Sequence, residues 1–183
     1  MKSEIINMKD VRIIGMSKKI PFKSGAEECP KFWAEYVDRI IRPVIFEKQV
    51  PDAFQQAAFA NNVGEFGLCT CDLPNHNCMT CGEVNFKGGC TKSFTYVIGG
   101  TYKGGDVPEG MELYPIRDGK WLKIHFEGGM KAFQQQYAEF FNNWLPSHPE
   151  YRCADNASFM EWYCGIDINS PDYQCGVIMP LAD

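Results

Sequence analysis

Two stretches of the chain space their apolar residues three and four positions apart, the pattern of an amphipathic helix. The first begins near Pro30, which suits a first helical turn, and Pro43 predicts its end or a kink. The second begins near Met130, and Pro146 predicts its end. The apolar positions are Phe32, Trp33, Tyr36, Val37, Ile40, Ile41, Val44 and Ile45 in the first helix and Phe133, Tyr137, Phe140, Phe141, Trp144 and Leu145 in the second.

Around these helices the pattern changes to short alternating or β-branched runs bounded by glycine and proline, which predicts strands. Residues 111–114 and 120–126 are predicted to form a hairpin, and residues 55–62 a polar, alanine-rich connection. The predicted strands are 11–16, 65–71, 93–98, 111–114, 120–126, 159–164 and 175–180.

The two predicted helices align without a gap, residues 33–41 on residues 137–145, at an offset of 104. Aromatic positions fall on aromatic positions, and an Ala-Glu pair matches in both. Any two amphipathic helices could align in this way, but the flanking strands also follow the same order. We therefore predict an internal duplication within one domain, with repeat 1 over about 1–105 and repeat 2 over about 106–183. The seam between two such halves is a natural place for a ligand cleft.

Composition narrows the function classes. The 183 residues are 45% hydrophobic and 22% charged, which is typical of one globular domain. Lys and Arg number 18 against 23 Asp and Glu, and the net charge of −5 argues against a nucleic-acid partner. No run approaches the roughly 18 apolar residues of a membrane span. The N-terminus has an acid at Glu4 and no apolar signal core, so we expect a cytoplasmic protein without a membrane partner.

The segment 159–164 places an acid within an aromatic strand. Because side chains alternate along a strand, Phe159, Glu161 and Tyr163 are predicted to share one face. A buried carboxylate between two rings is costly unless something compensates its charge, and an organic cation does so by charge pairing and by contact with ring faces. This pattern predicts a receptor for lipophilic cations. The alternative is a Glu161 that points to solvent or pairs with a Lys or Arg.

The sequence resembles the GyrI-like, AraC-type effector-binding domain family over nearly its whole length. The Glu-x-Tyr element of the family corresponds to Glu161-Trp162-Tyr163, and its Tyr-x-x-Gly strand to Tyr96-Val97-Ile98-Gly99. Further matches, in the order of the family, are 11–16, 32–36, 107–112, 118–121, 144–146 and 177–180. Met160 stands where the family usually has Phe.

This resemblance implies an α+β fold, a tandem pseudo-twofold repeat of βαββ units with antiparallel sheets, two main helices and a central ligand groove. It implies that Glu161 is the acidic residue of the groove and that Tyr96 and Tyr163 line its wall. The further aromatic candidates for ligand binding are Phe159, Trp33 and Trp121. Family members fused to helix-turn-helix domains regulate transcription, whereas this chain is expected to be a stand-alone sensor or multidrug binder without a DNA-binding module.

A cysteine-rich insertion over residues 69–90 departs from the family pattern. The chain has nine cysteines, an odd number that argues against a disulfide framework. The Cys-x-x-Cys pair in the insertion has the spacing of a zinc knuckle, so one hypothesis is a structural zinc site. The alternatives are reduced or redox-active thiols, or disulfides. The candidate zinc ligands are Cys71, Cys78, Cys81 and Cys90, with His76 or Cys69 as substitutes.

The leading functional hypothesis is a non-enzymatic protein that binds a small lipophilic, cationic or aromatic molecule and needs no cofactor. The resemblance also implies an alternative, because some GyrI-like proteins hydrolyse strained, cyclopropane-type electrophiles. In that case Glu161 would act as a general base on water, assisted by Tyr163 or Tyr96. A second alternative is a modulator of a protein partner.

Overall fold

The computed structural model describes residues 1–70, 93–154, 158–165, 168–170 and 172–183, which form eight strands and three helices. The strands are β1 Lys2–Met8, β2 Arg12–Pro21, β3 Phe66–Thr70, β4 Ser93–Thr101, β5 Glu112–Pro115, β6 Gly119–His125, β7 Phe159–Cys164 and β8 Gln174–Pro180. The helices are α1 Gly25–Tyr36, α2 Ala53–Ala60 and α3 Gly129–Glu139. α1 continues as a π-helix over Val37–Phe46, and α3 as a π-helix over Phe140–Trp144.

All eight strands lie in one antiparallel sheet of order β1-β6-β8-β7-β3-β4-β2-β5. β3 and β7 pair at its centre, with Phe66 opposite Trp162 and Cys69 opposite Phe159. Outward from this pair, β4 and β2 follow on one side as β8 and β6 do on the other. The units β2-α1-β3-β4 and β6-α3-β7-β8 therefore occupy mirrored positions in the strand order, which confirms the α+β fold with a tandem βαββ arrangement. The boundary near residue 105 stays a prediction.

The predicted hairpin of residues 111–114 and 120–126 does not form. β5 pairs with β2 at one edge of the sheet, whereas β6 lies between β1 and β8 near the other edge. Trp121 and Leu122 of β6 point to opposite faces and are both fully buried. A strand buried on both faces belongs in the interior of a sheet. The local turn signal is therefore overridden by long-range burial.

The helices depart from the predictions in two places. α1 begins at Gly25, so Pro30 is inside the helix rather than in its first turn. Of the end or kink predicted at Pro43, the end does not occur, because Pro43 lies within the π-helix, and the kink stays a prediction. The connection predicted for residues 55–62 is largely α2. Asp52 is the N-cap of this helix and forms a capping box with Gln55. In the described ranges, no helix is long and apolar enough to cross a membrane.

The two faces of the sheet are buried in different ways. One face packs against the helices in two clusters, the first around Phe32 and Ile40 of the α1 region and the second around Phe133 and Phe140 of the α3 region. On the opposite face the buried cluster within the described residues contains strand and loop side chains only. Its buried members are Ile13, Leu68, Val97, Ile116, Trp121, Met160, Trp162 and Ile178.

Candidate functional site

Glu161 lies at the centre of the sheet, on β7, directly opposite Gly67 of β3. Side chains alternate along β7 as predicted: Phe159 and Tyr163 pack in the helix-side cluster, whereas Met160 and Trp162 pack on the opposite face. Glu161 shares the helix side, where it is half-buried. The β3–β7 seam therefore presents a carboxylate to the space between the sheet and the helices.

The carboxylate is the acceptor of a small aromatic hydrogen-bond network. Tyr96 donates to Glu161 Oε2 at 2.5 Å, and Tyr163 donates to the same oxygen at 2.9 Å. The indole N–H of Trp33 donates to the Tyr96 hydroxyl oxygen at 3.0 Å, which links α1 to the sheet. Within the described part of the chain, no hydrogen bond reaches Glu161 Oε1 and no Lys, Arg or His forms an ion pair with this carboxylate. One carboxylate oxygen is thus held by protein donors, whereas the other accepts no hydrogen bond from the described residues.

Gly67 makes the close approach of these groups feasible. A Cβ atom on this residue would lie 2.7 Å from Glu161 Oε2 and closer still to the Tyr96 hydroxyl oxygen. Any side chain at this position would therefore occupy the space in which the phenol meets the carboxylate. Sequence reasoning missed Gly67, because a glycine within a short strand also fits an ordinary bulge or turn.

Burial sets the electrostatics of the site. It raises the pKa of the Glu161 carboxyl, and the hydrogen bonds from Tyr96 and Tyr163 offset only part of this effect. The pKa of each phenol is also raised well above its ordinary value, first by burial and then by the negative charge of Glu161. Both phenols therefore remain protonated donors, and the negative charge of an ionised Glu161 is costly to leave uncompensated.

Aromatic rings surround the carboxylate from both halves of the fold. Trp33 contacts Tyr163 edge to face, with ring centroids 5.1 Å apart, and Phe133 stacks on Tyr163 with centroids 5.7 Å apart. On α3, the pKa of Tyr137 is raised chiefly by burial and further by the negative charge of Glu161. Tyr137 is missing from the sequence-predicted site. The internal repeat could have identified it, because it aligns with Trp33.

The two remaining aromatic candidates, Phe159 and Trp121, lie in different places. Phe159 is on the correct face but is only 2% exposed, beneath Tyr137 and Phe141, so it supports the aromatic wall from behind. The structure does not bring Trp121 to the site. Its ring is fully buried on the opposite face of the sheet, and its indole N–H donates to the Arg117 carbonyl. Alternation along β6 explains this placement, since Leu122 and Ile124 take the side that faces α3.

The candidate zinc ligands Cys71, Cys78, Cys81 and Cys90 lie outside the described residues, and the zinc site stays a prediction. Among the residues that the structure describes, no group of three or more His, Cys, Asp or Glu side chains is arranged to hold a metal ion.

Comparison with known families defines the class of protein. The profile of the GyrI-like small molecule binding domain family matches residues 87–181, just over half of the chain. The chain belongs to this family. It is therefore a small-molecule binding domain, as the resemblance of its sequence motifs implies. No curated protein matches the sequence.

Solved structures agree with this fold. SAV2435, in a structure bound to tetraphenylphosphonium, is 17% identical, with a TM-score of 0.67 over 100% of this chain and 94% of its own. A putative transcription regulation protein from Staphylococcus aureus MU50 is 16% identical, with a TM-score of 0.67 over 100% of this chain and 99% of its own. An integron cassette protein from Vibrio cholerae is 11% identical, with a TM-score of 0.56 over 98% of this chain and 95% of its own. At these identities the likeness concerns the fold.

Proposed function

We propose that this domain binds a lipophilic organic cation between the sheet and the two long helices, with Glu161 as the counter-charge. The observation that carries the proposal is a half-buried carboxylate among aromatic rings with no cationic partner in the described part of the chain. A structural carboxylate in such surroundings is normally paired. A ligand cation would supply the missing charge.

The geometry favours a cation with aromatic or other apolar substituents. Glu161 Oε2 is already held by Tyr96 and Tyr163, so its position is fixed before a ligand arrives. Such preorganisation lowers the cost of binding. The rings of Trp33 and Tyr163 stand next to the carboxylate, and ring faces attract cations as well as apolar groups. A diffuse, weakly hydrated cation satisfies both features at once.

The similarity to known structures supports the same class of ligand. SAV2435 has the same fold over nearly its whole length and is bound to tetraphenylphosphonium, a lipophilic cation with four phenyl rings. The putative transcription regulation protein of the same fold supports a role for this chain as a sensor that reports the presence of such a compound.

Calorimetric titration with tetraphenylphosphonium and with neutral triphenylphosphine oxide tests the counter-charge. Wild type is expected to prefer the cation. The isosteric variant Glu161→Gln should bind the cation about 1.5–3 kcal/mol more weakly, the usual contribution of a hydrogen bond that involves a charged group. Its affinity for the neutral compound should change little. Glu112→Gln is the matched control, because Glu112 also accepts a 2.5 Å hydrogen bond from a tyrosine, Tyr114, but at an exposed edge of the sheet.

Three results would count against this function. Equal affinity of wild type and Glu161→Gln for the cation would remove Glu161 from the role of counter-charge. A cation affinity that falls equally in Glu112→Gln would show that net charge, rather than this site, sets the preference. If wild type binds neither compound, the cation-receptor proposal fails.

The hydrolase hypothesis has one observation in its favour. Burial raises the pKa of Glu161, and a carboxylate with a raised pKa is a stronger general base. Turnover of a cyclopropane-type electrophile, followed by mass spectrometry and abolished by Glu161→Gln, would support it. Stoichiometric binding without product would leave the receptor as the function.

A further inference from the structure

Tyr137 occupies a special position in the duplicated fold. It is the residue of α3 that aligns with Trp33 of α1 at the repeat offset of 104, and like Trp33 it is half-buried. Its ring lies 4.7 Å from Phe141 and 6.1 Å from Phe159, measured between centroids. The α3 half of the site therefore contributes a tyrosine where the α1 half contributes a tryptophan.

The hydrogen-bond donors around Glu161 are used unequally. Trp33 donates to Tyr96, and Tyr96 and Tyr163 both donate to Glu161, so these three donors are engaged within the protein. By contrast, the Tyr137 hydroxyl has no hydrogen-bond partner among the residues that the structure describes. Burial and the charge of Glu161 raise the pKa of Tyr137 well above its ordinary value, which keeps this hydroxyl protonated and able to donate. A half-buried donor among rings gains from an acceptor that a ligand brings.

We propose that Tyr137 is a specificity-determining residue that donates a hydrogen bond to an acceptor on the ligand. This inference rests on the proposed function and refines the ligand class. The preferred ligand is a lipophilic cation that carries a carbonyl or similar oxygen on the side facing α3, while its charged centre faces Glu161. On the α1 side, the N–H of Trp33 already donates to the Tyr96 hydroxyl oxygen, so Trp33 offers a ligand apolar surface and no hydrogen-bond donor.

A pair of phosphonium probes tests this reading. (4-Acetylphenyl)triphenylphosphonium offers a carbonyl acceptor, and (4-isopropylphenyl)triphenylphosphonium has almost the same shape without one. Wild type is expected to bind the acetyl compound about 3- to 10-fold more tightly, the range for one net hydrogen bond. Tyr137→Phe should abolish this preference and leave the affinity for the isopropyl compound unchanged. Tyr102→Phe is the matched control, since its hydroxyl donates to the Gly105 carbonyl away from the site.

The ratio of the affinities for the acetyl and isopropyl probes tests the role of Tyr137. Whether the two probes bind at all tests the proposal of a cation receptor. Equal affinities in wild type, or a preference that survives in Tyr137→Phe, would overturn the role of Tyr137 even if both cations bind. If neither cation binds, the proposed function fails. The neutral pair 4-acetylbiphenyl and 4-isopropylbiphenyl then measures the same ratio, and the absence of a Tyr137-dependent preference there would overturn this inference as well.

Discussion

Gly67→Ala is the sharpest single test of how the site is built. The added methyl group would lie 2.7 Å from Glu161 Oε2 and even closer to the Tyr96 hydroxyl oxygen. Neither atom can move easily, because Tyr96 is only 1% exposed and is held by Trp33 from one side and by the carboxylate from the other. The Tyr96–Glu161 hydrogen bond should therefore break.

The expected cost follows from the contacts. Loss of a hydrogen bond to a charged group costs about 1.5–3 kcal/mol, and overpacking about 1–3 kcal/mol. Replacing a strand glycine recovers roughly 0.5–1 kcal/mol of backbone entropy. We expect the free energy of unfolding, measured in urea, to fall by about 1.5–5.5 kcal/mol, together with a loss of cation affinity. Gly25→Ala is the control, because its Cβ would meet only Phe94, at an ordinary 3.4 Å. A Gly67→Ala protein as stable as Gly25→Ala, with unchanged affinity, would refute the reasoning.

Two further predictions concern protons and packing. Because the proposed site pairs the ionised carboxylate with the cation, the affinity of wild type for tetraphenylphosphonium should fall on acidification through the raised pKa of Glu161, which lies above the ordinary value of 4.5. In Glu161→Gln the affinity should not change with pH over the same range. Titrations from pH 4 to 8 measure this, and identical profiles would contradict it. Tyr36→Phe removes the 2.5 Å hydrogen bond that Tyr36 donates to the Val63 carbonyl, and should lower the free energy of unfolding in urea by about 1–3 kcal/mol because the carbonyl is left buried. An unchanged midpoint would argue against that bond.

Much of the fold was accessible from the sequence because its signals are local. Apolar spacing located α1 and α3, and alternation placed Glu161 and Tyr163 on one face of β7. The pairing of β5 with β2 and of β6 with β1 was not accessible, since it depends on which strands are buried on both faces. β1 was missed for a related reason. It is an edge strand whose polar, exposed residues lack a strong hydrophobic pattern.

The site shows the same division. The carboxylate and its two tyrosines could be predicted, because Glu161 and Tyr163 are neighbours in a strand and Tyr96 belongs to a recognisable family motif. The role of Gly67 and the hydrogen bond from Trp33 to Tyr96 could not be predicted, because they depend on distances between α1, β3 and β4 that no sequence pattern specifies. Trp121 was selected for its ring alone, and its position in β6 turns that ring to the opposite face.

The position of Glu161 at the seam connects stability to binding. A raised pKa in the folded protein means that ionisation is harder there than in the unfolded chain. The site therefore costs stability as the pH rises from 4.5 through the raised pKa of Glu161. A bound cation reverses this effect, because it favours the ionised carboxylate and lowers its pKa again. Cation binding should then release protons when the pH lies near the raised pKa. A neutral ligand of the same shape gains nothing from this linkage, so under the proposed function the uncompensated charge should make the site bind cations more tightly than neutral aromatic compounds.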